Sequence, residues 1–242
     1  KAFRVRKVFT AGRLIAEDGR VLIPLDDAAA GAPSHSIHLK PLAEDALSLP
    51  VRTGKARVIG IEPASLVTKS LVREVKTDDA GCFQSALNPG LTKIAVIERH
   101  KRTGKLGIGI LEGYGLTGGA IATTISHDSH NIVVAGDNDP DMLLAVRELA
   151  DMGGGIVSVH GGAIRRLPLP IAGLMTSADP QEVNAVLHDM LVAARAELGI
   201  PEDVEPFMTL SFMALPVIPE LKLTARGLFN VNTFSFVGVE AD

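Results

Sequence analysis

Residues 122–136 read Ala-Thr-Thr-Ile-Ser-His-Asp-Ser-His-Asn-Ile-Val-Val-Ala-Gly, two β-branched apolar runs separated by the polar group His127-Asp128-Ser129-His130-Asn131. Gly, Pro, Asn and Asp make simple reversals cheaply, so two imidazoles at one turn point to chemistry rather than to geometry alone. A β-turn from His127 to His130 would hold the two Cα atoms within about 7 Å. Their rings could then converge on one ion or one planar heterocycle, with Asp128 fixing a tautomer or moving a proton. The competing reading is structural: Asp128-Ser129 turns the chain and the imidazoles hydrogen bond the strand ends. His127, Asp128 and His130 are therefore the candidate catalytic residues, and Asn131 a candidate substrate contact.

A second polar group, Glu98-Arg99-His100, follows the apolar run Lys93–Ile97. Strand ends commonly present chemistry, which makes Glu98 a further candidate substrate contact, although Glu-Arg there is also an ordinary solvated pair. His160 precedes Gly161-Gly162 at another strand end. His188 falls inside a helical pattern, as a surface or core-edge residue. Cys82, the sole cysteine, has no nearby base and reads as a buried structural thiol. His35 and His38 lack an acidic or cysteine companion. No phosphate loop, nucleophile elbow or complete dinucleotide fingerprint is present, and Gly153-Gly154-Gly155 reads as a helix stop leading into a strand rather than as a phosphate cradle. One cysteine cannot build a deaminase-type zinc site. His127, Asp128 and His130 offer at most three ligands, so no metal site is expected from this chain's residues.

The positioning elements follow from periodicity and punctuation. Lys1–Ile23 suggests a three-stranded meander, too small to be stable alone, and the start at Lys1 reads as a cut from something longer. Residues 24–49 read as a linker, and 50–242 as one domain. Within it, Ala56–Ile61, Ser70–Val75, Lys93–Arg99 and Leu106–Leu111 read as strands, the last interrupted by glycines that suit a close backbone approach. Asp139-Pro140 and Asp179-Pro180 each open an amphipathic helix. Gly155–His160 and Ala163–Leu167 form a hairpin, Phe207–Leu215 is expected to close the sheet as a strand, and the helix after Val134 allows a parallel crossover. The expected class is α+β, a mixed sheet with flanking helices behind a short meander.

Composition bounds the rest. The 242 residues are 46% hydrophobic with 24 Gly, no Trp and one Tyr, so Val, Ile, Leu and Ala must form the core. A net charge of −4, with both signs dispersed, carries no basic stripe for nucleic acid. No run approaches the roughly 20 apolar residues that span a bilayer. A lone cysteine fits a reducing cytoplasm.

Several long segments, in order, resemble bacterial adenine deaminases. They are Lys93–His100, Gly118–Ala122 running into His127–Asn131, Leu167–Met175, Pro206–Phe212 and Leu215–Lys222. The match begins near Ala56, and residues 1–23 look like the tail of an amidohydrolase-type small β-sandwich. The resemblance implies the carboxyl-terminal portion of an enzyme of purine salvage that hydrolyses adenine to hypoxanthine and ammonia through a metal-activated hydroxide. It also implies partners: a (β/α)8 barrel carrying manganese, iron or zinc, in the same or another chain, with adenine as substrate and a homo-oligomeric assembly. Nothing in this chain supplies the barrel's His-x-His pair, so the chain alone is expected to be inactive. A noncatalytic ligand-binding or assembly module is the alternative.

Overall fold

The computed structural model describes residues 4–24 and 33–241. The chain divides into two compact units, residues 1–32 and 33–242. Phe3 of the expected meander and Ala28–Ala32 of the expected linker lie outside the described residues.

The first unit is an antiparallel meander of β1 (Lys7–Thr10), β2 (Arg13–Glu17) and β3 (Arg20–Val21). Ala11-Gly12 and Asp18-Gly19 turn it with positive φ at all four residues, the geometry whose twist matches paired strands. Both of its faces are open: Val5, Phe9, Val21 and Leu22 are each about half exposed.

The second unit is built on eight strands. In chain order come β4 (Lys55–Ile61), β5 (Thr68–Glu74), β6 (Leu91–Ile97) and β7 (Leu106–Glu112). Next are β8 (Gly119–Thr123), β9 (Ile132–Gly136), helix α1 (Asp139–Asp151), β10 (Gly155–His160) and β11 (Ala163–Pro168). The spatial order is β11-β10-β8-β9-β6-β7-β4-β5. Every neighbouring pair is antiparallel except β4 with β7. Helix α1 does cross between strands of one direction, β9 and β10, but β8 lies between them and runs against both. The direct parallel pair is elsewhere.

The sheet is covered on both faces, which explains why its central strands read as unbroken apolar runs. Ala95 and Ile97 of β6 and Ile132 and Val134 of β9 pack with Met142, Val146 and Leu149 of α1. Leu47, fully buried, joins that layer from the segment before β4. The alternate residues Ile94, Val96, Val133 and Ala135 face the opposite layer, made by α2 (Pro180–Ala196), α3 (Pro206–Phe212) and a small antiparallel sheet, β12 (Leu221–Thr224), β13 (Gly227–Asn230) and β14 (Ser235–Val237). Each large aliphatic side chain buried there contributes roughly 1.5–3 kcal/mol. The small sheet approaches β7 closely: a Cβ on Gly107 would lie 2.1 Å from the Thr224 carbonyl oxygen. That is the contact expected of a glycine-interrupted strand.

Three expectations change. Phe207–Leu215 does not close the sheet; Pro206–Phe212 is helix α3, capped by the Glu205 carboxylate, which accepts from Met208 N–H, with Pro206 at its first position. A short apolar run carries no decisive period, so the cap and proline settle it locally. Helix α1 is capped by Asn138, not Asp139, through Asp141 N–H to the Asn138 side chain. Asp179 does cap α2. Cys82 is half-buried rather than buried.

Candidate functional site

Register brings four loops to one end of the central strands. Ile97 at the end of β6 faces Ile132 at the start of β9, Thr123 at the end of β8 faces Ile156, and Pro168 at the end of β11 faces Gly155. The loops 98–105, 124–131, 152–154 and 169–175 therefore share this edge, together with residues 34–38.

The 124–131 loop is anchored at its base. Thr124 Oγ1 donates to the Gly173 carbonyl at 2.5 Å and accepts from Gly155 N–H at 2.8 Å. Ser126, fully buried, accepts through its carbonyl from His130 N–H at 2.6 Å. The reversal thus spans Ser126 to His130, one residue wider than the four-residue turn from His127 that the sequence suggested. His130 sits in the left-handed region at φ 46°, which costs a non-glycine residue about 1–2 kcal/mol.

The two imidazoles are held differently. The exposed His127 ring stacks on Phe212 of α3, centroids 5.0 Å apart and planes at 26°. Its Nδ1 lies 2.8 Å from Asp128 Oδ1, and its backbone N–H donates to the Ser211 carbonyl. An Nδ1–H donated to Asp128 leaves Nε2 of the neutral ring as an acceptor. The His130 ring is half-buried, and its Nδ1 is sealed from solvent without a partner. Burial, then the Arg99 cation and His127, lowers the His130 pKa against the opposing Asp128 charge. Asn131 Oδ1 is likewise buried and unpartnered. Two orphaned polar atoms on adjacent residues are unusual, since a buried donor or acceptor without a partner costs about 1–3 kcal/mol.

Glu98 and Arg99 do not pair with each other. The Glu98 carboxylate closes its own loop, accepting from the N–H groups of His100, Lys101 and Thr103 and from the Thr103 hydroxyl. Burial raises its pKa, but these donors outweigh burial and hold it at about 2. Arg99 is only 2% exposed and reaches carbonyls on three other segments: His130, Ser36 and Ala172. His100 Nε2 contacts the Ser129 carbonyl at 2.9 Å, tying this loop to the histidine turn. His160 bonds the Gly118 carbonyl at 2.8 Å, far along the sheet, and His188 is exposed on α2. Phe212 and Ser36 are the members of this edge that sequence reading did not single out. Arg99 was legible only as part of the polar group Glu98-Arg99-His100 after the strand β6.

Among the described residues, no three His, Cys, Asp or Glu side chains come together as metal ligands. His127 Nδ1 is turned to Asp128, and His130 Nδ1 is buried without a partner. The arrangement can exchange a proton and offer hydrogen bonds to a planar ligand, but it does not fit a metal centre.

Comparison with known sequences gives the family. The model of the adenine deaminase C-terminal domain matches residues 65–235. This chain belongs to that family. The adenine deaminase of Nitratidesulfovibrio vulgaris strain Hildenborough is 57% identical over 238 residues, which is 98% of this chain and 41% of that protein. Adenine deaminase 2 of Carboxydothermus hydrogenoformans is 45% identical with the same coverage of both, and the adenine deaminase of Geobacillus kaustophilus is 42% identical across all of this chain and 42% of its own length. This adenine deaminase C-terminal domain chain therefore spans about two fifths of the relatives it matches. All four loops of the site edge beyond residue 65 fall inside the matched family region.

Proposed function

We propose that this chain is the carboxyl-terminal portion of an adenine deaminase of purine salvage, and that it works against a (β/α)8 barrel in the same or another chain. The chemistry of a divalent metal (manganese, iron or zinc) belongs to that barrel in this reading, since among the described residues no three metal-ligating side chains come together. The observation that carries the reading is the exposed His127–Asp128 pair, its ring stacked on Phe212 at the sheet edge. These groups are suited to a purine edge. His127 can donate to or accept from the heterocycle and pass a proton to the departing ammonia, with His130 and Asn131 the further candidates beside it. Asp128 fixes the His127 tautomer, and Glu98 keeps the adjoining loop closed. The open faces of the meander, residues 1–23, support its reading as the tail of an amidohydrolase-type small β-sandwich whose companion strands lie elsewhere, with 24–49 the linker to the domain at 50–242. Cytoplasmic homo-oligomers complete the proposal.

The test is reconstitution. The pure 242-residue chain, supplied with Mn²⁺, Fe²⁺ or Zn²⁺, should release no ammonia from adenine, and the polypeptide that also carries the barrel should do so. Substantial turnover by the chain alone would refute the division of labour. Inactivity of the combined polypeptide would favour a noncatalytic binding module.

A further inference from the structure

We propose that Arg99 is the positioning residue of this site, holding the His127–Asn131 loop in place through the His130 carbonyl; the catalytic consequence rests on the function proposed above. Its Nε donates to the His130 carbonyl. Nη1 donates to the Ser36 carbonyl at 3.1 Å and the Ser36 hydroxyl at 3.2 Å, and Nη2 to the Ala172 carbonyl at 3.0 Å. The Arg99 backbone carbonyl in turn accepts from His38 N–H at 2.7 Å. Three segments distant in sequence are thus joined through one planar fork.

The nature of these partners matters. Burying a cation is costly, and a carboxylate is the usual compensation. Arg99 is 2% exposed, and among the described residues it makes no ion pair; its acceptors are carbonyls and one hydroxyl. A neutral or aliphatic side chain would serve a merely filled core with less desolvation. A guanidinium alone offers five donors in fixed directions, and here they are aimed at backbone oxygens that set loop shape.

The grip falls on the residue that needs it. His130 is left-handed, and such conformations persist only where the surroundings over-determine them. Its N–H is held by Ser126 and its carbonyl by Arg99, so both peptide planes flanking the functional ring are restrained. Gly173 completes the seat, because a Cβ there would lie 3.1 Å from both terminal guanidinium nitrogens, at φ +73°.

Arg99→Lys keeps the charge and loses the fork. In the 242-residue chain, the His130 amide should then exchange about tenfold faster, equal to about 1.4 kcal/mol of opening free energy, with β10 amides unchanged. Gly173→Ala should displace the guanidinium and give the same acceleration without altering Arg99; it decides the matter where Arg99→Lys does not fold. In the complete polypeptide, Arg99→Lys should lower kcat for adenine at least about tenfold, yet add less than about twofold in a His130→Ala background. Equal losses in both backgrounds, as general destabilisation would give, overturn the proposal. Unchanged His130 exchange in both variants also overturns it, whatever the kinetics. Full turnover by His130→Ala, together with accelerated exchange in Arg99→Lys, would sink the loop's part in deamination and leave the hold of Arg99 on the loop established.

Discussion

His127 and His130 are three residues apart and chemically identical, yet their surroundings separate them. His127 is exposed, stacked on Phe212 and paired with Asp128, the position that the proposed contact with a substrate requires. His130 is half-buried beside Arg99, and its pKa is lowered first by burial. General acid–base help is worth roughly 10²–10⁴-fold in rate. Replacing either residue by Ala in the complete deaminase should lower turnover at least about tenfold, with metal content and melting temperature unchanged. Steady-state ammonia release measures this, and near-normal rates in both variants would reduce the loop to a structural hairpin.

At the level of elements, the small sheet carries an unusual cost. Lys222 of β12 is fully buried, and its ammonium donates to the Leu66 carbonyl at 2.9 Å. Burial lowers its pKa from 10.5 to about 8. The folded state therefore gives up this proton before the unfolded state does. Between about pH 8 and 10.5 the unfolded chain binds more protons, so the Lys222 contribution to stability rises with pH across that window. Lys222→Met should remove this rise, and thermal melts of both proteins at pH 7.5 and 10 should converge with increasing pH. A constant gap between them would mean that Lys222 remains charged when buried.

At the scale of the molecule, the two units differ in how much they bury. The second unit covers a central sheet on both faces, whereas the meander leaves Val5, Val8, Phe9, Val21 and Leu22 exposed. A few strands with no covered face fall short of independent stability. Amide exchange in the 242-residue chain should be fast throughout residues 7–21 and slow in β8 and β9. Strong protection of the meander in a monomer would contradict this, and protection only on adding the barrel would identify its companion.

Local pattern made most of this molecule legible. The apolar runs of β4, β6, β7, β8 and β9, the Gly161-Gly162 hairpin and the Asp179-Pro180 helix start could be read because periodicity, caps and turns act within a few residues. The polar turn at 127–131 was legible for the same reason: its residue types sit together in the chain. Pairings across long separations were not. Glu98 and Arg99 are adjacent and oppositely charged, and neighbours of that kind suggest a pair, but the fold sends one carboxylate to its own loop and one guanidinium to three distant carbonyls. Residues 206–212 look alike as strand or helix until Glu205 meets Met208 N–H. The burial of His130 Nδ1 and Asn131 Oδ1 exists only once four loops converge at the sheet edge, because solvent exclusion is a property of assembled surfaces and no short stretch of chain encodes it.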